Sequence, residues 1–388
     1  MRIAIVLPRG GVYCADKANS METVVRTLTR ESRDGATTYV ICEDDGGQDA
    51  PGVLRIPTGL SRGARNAAVI DMLRHLDPDV IEFHQQLKAA AQIARHFRDK
   101  VRIFYRHTRV KPPCSPFEAL RYKTRLRTFD RLVFVSQTAA DEFKADYPSL
   151  SNAVSAVCNP IDIDVWEGDP EKRDPVILFA GRAMPEKGLD VFCLSAAEAL
   201  DRNPDWRATL MLGDWEQHRA WAEPHVAALA RFGDRVRIVH SAPLTDVVAA
   251  TRRAAIAVTP SRVREALGLT ALEAHAGGAA LISSGRGGLR EASGDHALYV
   301  DPDDTAGLTE VLCALIADPA RRLQMARAAQ AFVRKTHAPG IRAAELDGIR
   351  ATTFARKTRQ DARPAAVHWL TLGWRSGGMP AGYFSRTF

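Results

Sequence analysis

The chain has 388 residues, of which 46% are apolar and 26% are charged. This composition is ordinary for a soluble globular protein, and because a single core stops growing at about 250–300 residues, two domains are expected. The formal net charge of +7 favours anionic partners such as nucleotides, phosphorylated glycans, nucleic acid or an acidic membrane surface, although a merely solvated basic surface would give the same balance.

Six cysteines are spread along the chain without a Cys-x-x-Cys pair or a histidine at zinc-binding spacing, which indicates reduced thiols in a cytosolic protein. The apolar run at 3–7 is too short for a signal peptide, and no apolar stretch approaches the length of a membrane span. The expected location is the cytoplasm, and any contact with the inner face of the cytoplasmic membrane would be peripheral.

The first half alternates short β-branched runs with helical patterns. Strands are predicted at 3–7, 38–42, 53–56, 79–83, 101–105 and 132–135, and helices at 20–32, 63–76, 87–98, 115–128 and 137–146. This alternation predicts a parallel sheet with helices on both faces, in a first Rossmann-like domain at 1–160.

A charged segment with two prolines, 167–175, is the best linker in the chain. A second α/β series follows it. Strands are predicted at 176–180, 209–212, 235–240, 255–259, 280–283 and 297–300, and helices at 187–201, 215–231, 244–252, 269–277, 304–317 and 319–335. This second Rossmann-like domain is expected at 161–340, followed by a helix at 341–359 and an aromatic and basic tail at 360–388.

The predicted fold class is therefore α/β, with two doubly wound domains facing a central cleft. Ligands of such sheets bind at the carboxyl ends of the strands, so the loops that follow the strands are the places to search for a site.

The loop after the strand at 176–180 carries two cations. Arg182 is expected to leave the strand end toward the crevice, and Lys187 to open the next helix. Two cations beside a helix N-terminus form an anion site suited to a diphosphate. An ordinary surface loop with charged residues is the alternative interpretation.

The loop after the strand at 255–259 carries two glutamates, Glu265 and Glu273, around a helix start. Gly268 lets backbone approach a ligand, and the N–H groups at Leu269 and Thr270 face the loop. If the diphosphate belongs to a nucleotide that carries a sugar, Glu273 is expected to accept hydrogen bonds from the ribose hydroxyls. Glu265 is expected to contact the sugar and stabilise positive charge on its ring. A pair of solvated or helix-capping glutamates is the alternative.

Several motifs of the second half occur together and in a fixed order. They are Gly-Arg-x3-Glu-Lys-Gly at 181–188, Leu-Gly-Asp at 212–214, Pro-Ser at 260–261, Glu-x7-Glu at 265–273, Gly-Gly-Leu-x-Glu at 287–291 and Val-Asp-Pro-Asp-Asp at 300–304. In these motifs the chain resembles the retaining glycosyltransferases of family 4, which have the GT-B fold.

The resemblance is looser in the first half. Gly10 and Gly11 are similar to the glycine loop of the family that approaches the donor phosphates and the acceptor, and Ser136 fits a strand that ends in serine. His107 lies where relatives place a histidine near the reacting sugar. His84, after the preceding strand, is the competing histidine, and a structural role is the alternative for either.

The resemblance implies a reaction as well as a fold. The first domain would bind the acceptor, and the second, with Gly181 in its phosphate loop, would bind a nucleotide sugar, most simply a UDP- or GDP-sugar. The sugar would pass with retention to a glycan or glycolipid of cell-envelope, lipopolysaccharide or exopolysaccharide synthesis. No metal or cofactor is implied, and Asp162 and Asp164 are interpreted as turn residues.

A basic amphipathic stretch at 109–127 could lie on an anionic membrane or contact a phosphorylated acceptor. Its apolar members are Phe117, Leu120 and the nearby Phe129, and a solvated face is the alternative. A sugar-nucleotide epimerase and a non-catalytic nucleotide-sugar-binding subunit remain as other functions. A dinucleotide enzyme is disfavoured because 8–11 lacks the Gly-x-Gly-x-x-Gly pattern, and nucleic-acid binding because no motif supports it.

Overall fold

The computed structural model describes residues 1–14, 20–44, 50–110 and 112–361. The predicted tail at 360–388 lies outside the described residues from 362 onward. Within the described ranges, no helix has both the length and the apolar character needed to cross a bilayer.

Thirteen strands within the described residues form two sheets. They are β1 (Ile3–Val6), β2 (Thr38–Glu43), β3 (Val53–Ile56), β4 (Val80–His84), β5 (Val101–Arg106), β6 (Arg131–Phe134), β7 (Val154–Ala156), β8 (Asp174–Arg182), β9 (Arg207–Gly213), β10 (Val236–His240), β11 (Ala254–Thr259), β12 (Ala280–Ser283) and β13 (Ala297–Tyr299).

Fourteen α-helices within the same ranges surround the sheets. They are α1 (Ser20–Glu31), α2 (Arg62–Leu76), α3 (Leu87–Ala94), α4 (Pro116–Leu126), α5 (Gln137–Asp146), α6 (Ile163–Trp166), α7 (Leu189–Arg202), α8 (Trp215–Ala227), α9 (Leu244–Arg253), α10 (Leu269–Gly277), α11 (Leu289–Ser293), α12 (Thr305–Ala317), α13 (Pro319–Thr336) and α14 (Pro339–Asp361).

Both sheets are wholly parallel and doubly wound, as predicted. The first has the strand order β3-β2-β1-β4-β5-β6-β7 and the second the order β10-β9-β8-β11-β12-β13. The order reverses between β1 and β4 in the first sheet and between β8 and β11 in the second. Loops that leave neighbouring strands at such a reversal diverge to opposite faces and open a crevice, so the loops after β8 and β11 define the expected site in the second sheet.

The strands form where apolar runs can be buried on both faces. All four residues of β1 are buried, and so are all four of β12, because helices cover both sides of each sheet. One apolar cluster continues from the first sheet into the second and includes Ile5 and Val133 together with Leu272 and Leu281. The two halves are therefore packed against each other.

The three elements absent from the predictions are short. They are β7, α6 and α11, of three, four and five residues. Segments of this length carry too little periodicity to be recognised from a pattern. The predicted helix start at Lys187 is also wrong, because α7 begins at Leu189 after a separate 3₁₀ turn, Pro185–Lys187.

The chain crosses between the two sheets twice, and the crossings are hydrogen-bonded to each other. The His337 ring Nδ1 lies 3.0 Å from the carbonyl oxygen of Asn159, and the N–H of Ile161 donates to the His337 carbonyl at 2.9 Å. After the second crossing α14 packs against α1, where Asp347 accepts a hydrogen bond of 2.7 Å from the Ser32 hydroxyl.

Candidate functional site

The centre of the site is an ion pair between Lys187 and Glu265. The Lys187 Nζ lies 2.5 Å from Glu265 Oε1, and the Ser261 hydroxyl donates to the same oxygen at 2.7 Å. Both charged side chains keep about a fifth of their surface exposed. Two loops at the strand reversal thus bring one cation and one carboxylate together at a solvent-accessible mouth.

The two loops touch because Gly188 has no side chain. Gly188 has φ +71°, and a Cβ there would collide with the carbonyl oxygen of Pro260. The carbonyl of Glu186 accepts a hydrogen bond from the Arg262 N–H at 2.9 Å, and the Ser261 hydroxyl oxygen lies 3.1 Å from the same carbonyl oxygen. The glycine of the Glu-Lys-Gly motif, Gly188, therefore allows the two loops to pack together. This packing brings Lys187 into contact with Glu265.

Arg262 holds the same two loops from outside. Its guanidinium binds both oxygens of Asp190 at 2.7 and 2.8 Å and also reaches Asp303 at 2.6 Å. A bidentate pair of this kind fixes orientation as well as charge. Arg262 is therefore a support of the site, a role that its position next to Ser261 did not reveal.

The helix that follows Glu265 begins where it was predicted, at Leu269. Gly268 is its N-cap with φ +106°, and a Cβ there would collide with the Leu289 side chain. No side chain caps this N-terminus, so the N–H groups of the first turn, at Leu269 and Thr270, remain directed toward the crevice. An uncapped helix start beside Lys187 suits an anion.

Glu273 lies one turn into α10 and is largely buried. No hydrogen bond or ion pair to its carboxyl occurs within the described part of the chain, and burial raises its pKa to about 7. A desolvated carboxylate without a donor is costly unless a ligand provides one. The use of Glu273 for ribose hydroxyls stays a prediction.

Arg182 is placed less centrally than the sequence suggested. It is the last residue of β8, its side chain is 55% exposed, and its guanidinium lies 3.9 Å from Asp214. No described contact joins it to Glu265. Of the expected cation pair, only Lys187 is fixed on the glutamate, and Gly181 is simply the penultimate residue of β8, paired with Leu212.

His107 belongs to a buried chain of polar groups in the first sheet. Its Nε2 lies 2.7 Å from His84 Nδ1, and His84 Nε2 lies 2.9 Å from Glu82 Oε1. Arg350 of α14 binds Glu82 in turn at 2.9 Å. The competing histidines are thus partners, because β4 and β5 are neighbours and both histidines follow at their carboxyl ends.

The charges decide the direction of these hydrogen bonds. Burial opposes ionisation of Glu82, but the charge of Arg350 and the hydrogen bond from His84 outweigh it and lower its pKa to about 2. Burial, followed by the neighbouring His84 and Arg106, holds the pKa of His107 well below its ordinary value. Because the Glu82 carboxylate is ionised, His84 donates to it through Nε2–H, and one hydrogen is shared between His84 Nδ1 and His107 Nε2.

The glycine loop of the first sheet follows β1. The Gly11 N–H donates to the Pro8 carbonyl at 2.9 Å and the Gly11 carbonyl accepts from the Glu43 N–H at 2.9 Å. Space beside the Gly10 Cα is open. The loop is therefore a fixed turn with an exposed outer face, and its predicted contact with a ligand stays a prediction.

Sequence comparison covers both halves of the chain. Residues 21–165 match the family described as Glycosyltransferase Family 4, and residues 174–318 match the family described as Glycosyl transferases group 1. The chain belongs to glycosyltransferase family 4. The resemblance seen in the motifs is confirmed.

Relatives of this family 4 chain include two proteins named for D-inositol 3-phosphate. The D-inositol 3-phosphate glycosyltransferase 1 of Catenulispora acidiphila is 31% identical over 50% of this chain and 50% of its own length. The D-inositol 3-phosphate glycosyltransferase of Xylanimonas cellulosilytica is 33% identical over 56% of this chain and 51% of its own length. The chain thus spans about half the length of these curated relatives.

Solved structures show the same fold over nearly the whole family 4 chain. A sucrose-phosphate synthase from Thermosynechococcus elongatus superposes with a TM-score of 0.74 at 18% identity, covering 92% of this chain and 100% of that one. The Anabaena protein HepE in complex with UDP superposes with a TM-score of 0.74 at 16% identity, covering 91% of this chain and all of its own. The fold is GT-B, as predicted.

Two residues that join the halves of the family 4 chain were recognised only as motif positions. The Ser136 hydroxyl donates to the Ala266 carbonyl at 2.5 Å. The Glu291 carboxylate accepts from the N–H groups of Gln137 and Thr138, at 2.7 and 2.8 Å. Glu291 therefore caps α5 across the cleft, a contact between residues about 150 positions apart that no local pattern could reveal.

Within the described residues, no group of three or more His, Cys, Asp or Glu side chains is arranged to hold a metal ion. Of the two aspartates interpreted as turn residues, Asp162 accepts a hydrogen bond of 2.9 Å from Arg30.

Proposed function

We propose that this family 4 chain is a retaining glycosyltransferase that moves a sugar from a nucleotide-sugar donor, a UDP- or GDP-sugar, to a glycan or glycolipid acceptor. Its place would be the synthesis of cell-envelope glycans, lipopolysaccharide or exopolysaccharide, in the cytoplasm and at the inner face of the membrane. The reaction would need neither metal nor cofactor.

The observation that carries this proposal is the Lys187–Glu265 pair beside the uncapped start of α10. A donor diphosphate placed there would receive N–H groups from Leu269 and Thr270 and the charge of Lys187. As the bond to the leaving group breaks, Lys187 would neutralise the phosphate while Glu265 stabilises the positive sugar ring. One ion pair would thus serve both of the charges that separate in the transition state.

The partnerless Glu273 supports a nucleoside on the same helix. A ribose diol would donate two hydrogen bonds and relieve the cost of its burial. Among the structural neighbours, HepE has been crystallised with UDP and with UDP-glucose, which favours UDP as the first nucleotide to test.

His107 is proposed to contact the transferred sugar from the first domain. As a neutral ring, it would form a hydrogen bond with a sugar hydroxyl and orient the sugar between the domains. It would not act as a cationic acid, because burial disfavours its charged form.

Thermal unfolding with UDP, GDP and ADP tests the donor site. At least one nucleotide should raise Tm in EDTA, because protein groups alone neutralise the diphosphate. Lys187→Ala should weaken that nucleotide about tenfold or more, since a charge-assisted bond is lost. Lys172→Ala, an exposed lysine, is the matched control. Absence of any shift with all three nucleotides would refute the donor site.

Glu265→Ala separates chemistry from binding. It should abolish transfer from the bound donor while nucleotide affinity changes little, because Glu265 is assigned to the sugar and its developing charge. Turnover at the wild-type rate in this variant would show that Glu265 has another role.

A further inference from the structure

A basic cavity lies at the carboxyl edge of the first sheet, outside the site described above. It has a volume of about 1050 Å³ and is enclosed by α2, α3, α4 and the end of β5. No carboxylate is among the residues that line it. Its charged lining side chains are all basic: Arg9, Arg62, Arg65, Lys88, Arg95, Arg106 and Arg125. A volume of this size suits a small ligand.

Most of this positive charge is not neutralised by carboxylates of the described residues. Arg65 is paired with Glu43 at 2.9 Å. By contrast, Arg62, Lys88, Arg95 and Arg125 make no ion pair with any carboxylate in the part of the chain that the structure describes. Four unpaired cations around one cavity raise the local concentration of anions strongly.

Arg106 gives an independent indication of an anion. Its guanidinium donates to the carbonyl oxygens of Thr108 and Arg109 at 3.0 and 3.3 Å and has no carboxylate partner in the described ranges. Burial lowers its pKa, so a partly desolvated charge lies here without a counter-ion from those ranges. An anion in the cavity would offset this cost. The next residue along the chain is His107, so the cavity and the proposed sugar position both lie at the carboxyl end of β5.

The cavity continues into an apolar groove between α3 and α4. A second cavity of about 380 Å³ shares Lys88, Arg95 and Arg125 with the first. On its far side Phe117 is 74% exposed and Leu120 62% exposed. Phe129, which the sequence grouped with them, is buried and takes no part.

We propose that the basic cavity binds a phosphate group of the acceptor, so that the acceptor of the transfer reaction is phosphorylated. This rests on the proposed glycosyl transfer and names the substrate class on its acceptor side. The donor diphosphate is assigned to the second domain, around Lys187 and α10, so the two phosphate sites are separate. Guanidinium groups at several angles suit a phosphate monoester or diester, on a free sugar or on a lipid whose chain lies along Phe117 and Leu120.

The test uses the full chain with its donor site occupied by saturating UDP, or by whichever nucleotide raises Tm. Glucose 6-phosphate and glucose are titrated by calorimetry in parallel. Flotation with phosphatidylcholine vesicles, with or without phosphatidic acid, forms the lipid arm. The variants are Arg95→Gln and Arg125→Gln. The matched control is Arg74→Gln, an exposed arginine on α2 that pairs with Asp71.

The phosphorylated probe should bind at least tenfold more tightly than its uncharged counterpart, in one arm or both. Arg95→Gln and Arg125→Gln should each remove about tenfold of that affinity while the nucleotide shift and the Arg74→Gln control stay unchanged. Phe117→Ser tests the apolar groove formed with Leu120. If this variant no longer binds vesicles, the phosphate belongs to a lipid. If its binding is unchanged in both arms, the phosphate belongs to a soluble sugar.

Equal binding of phosphorylated and uncharged probes in both arms would overturn the proposal, and so would an equal loss of affinity in Arg74→Gln. Because nucleotide binding is measured in the same samples, a failed donor site is distinguished from a failed acceptor site.

Discussion

At the scale of single residues, the two glutamates of the Glu-x7-Glu motif differ in their surroundings. Glu265 is already satisfied, by Lys187 at 2.5 Å and Ser261 at 2.7 Å. Glu273 has no partner within the described ranges, and burial raises its pKa to about 7. The first is held ready for charge, and the second is available for neutral hydroxyl donors.

The raised pKa of Glu273 predicts a pH-dependent cost to the unliganded protein. Below about pH 4.5 the carboxyl is protonated whether folded or unfolded, so it has no effect. As pH rises from there to about 7, only the unfolded state ionises freely, and stability falls by up to about 3 kcal/mol. Glu273→Gln should therefore unfold at a higher urea concentration than wild type at pH 8. At pH 4 the two proteins should unfold at the same urea concentration.

The control for this comparison is Glu216→Gln on the exposed side of α8, which should change neither curve. A saturating nucleotide should reverse the order of the two proteins at pH 8, because the ribose diol prefers the ionised carboxylate. If Glu273→Gln is destabilising at pH 8 without ligand, the carboxyl has a partner in solution and the ribose assignment loses its basis.

At the scale of elements, α14 is joined by a buried ion pair to β4, the strand of the first sheet that ends at His84. Arg350 is buried between Asp347 of its own helix and Glu82 of β4, at 3.1 and 2.9 Å. Glu82 in turn orients His84 and, through it, His107. The position of α14, the last described helix, therefore affects the orientation of His107 at the cleft.

Arg350→Met should destabilise the protein by about 3–5 kcal/mol, because it leaves Glu82 ionised and buried without its cation. The double variant Glu82→Gln with Arg350→Met should recover much of that loss, since no unpaired charge remains. Urea unfolding of the three proteins measures both quantities. The double variant should also keep donor affinity but show a reduced kcat, because a neutral amide oxygen in place of the carboxylate holds the His84 ring less firmly.

Equal destabilisation by the single and double variants would contradict the charge argument. In that case the helix contributes only packing, and His107 would be positioned by its stacking on Tyr105, whose ring centroid lies 4.7 Å away.

At the scale of the whole molecule, the two domains are joined across the cleft by hydrogen bonds to main-chain groups. Glu291 of the second domain caps α5 of the first, and Ser136 at the start of α5 binds the carbonyl of Ala266, next to Glu265. The approach of the domains therefore acts directly on the loop that carries the proposed chemistry.

Glu291→Ala should loosen this contact. The N–H groups of Gln137 and Thr138 lose an acceptor worth about 1–3 kcal/mol, so their amides should exchange with solvent faster by roughly tenfold or more. Hydrogen exchange with mass spectrometry of the peptide covering 135–142 measures the change. Glu310→Ala, which removes an exposed intradomain pair with Arg202, is the control. Unchanged exchange would mean that the domains are apart in solution.

Much of this organisation follows from local pattern. The buried apolar runs predicted the described strands of both sheets in order, except β7, and Gly268 with the apolar residues after it predicted the start of α10. The start of α7 was predicted at Lys187, two residues too early, because the left-handed Gly188 separates a 3₁₀ turn from the helix. The contact between His84 and His107 could have been predicted, because both lie at the carboxyl ends of the neighbouring strands β4 and β5.

The remaining features depend on contacts between distant parts of the chain. Lys187 and Glu265 are 78 positions apart, and their pairing needs Arg262 to bind Asp190 and Gly188 to lie under Pro260. The basic cavity likewise collects residues from α2, α3, α4 and β5, and of these segments only α4 lies in the stretch that the sequence marked as basic. Only the topology that brings them together creates the excess.

The doubled crossing at Asn159, Ile161 and His337 has a mechanical consequence. A single connecting segment would act as a swivel and allow the domains to twist about its length. Two segments tied side by side act as a door hinge, which leaves one axis of rotation and suppresses twist. Opening would then displace residues in proportion to their distance from the hinge, so fluorescent labels at the far rim of the cleft should separate by much more than labels beside His337.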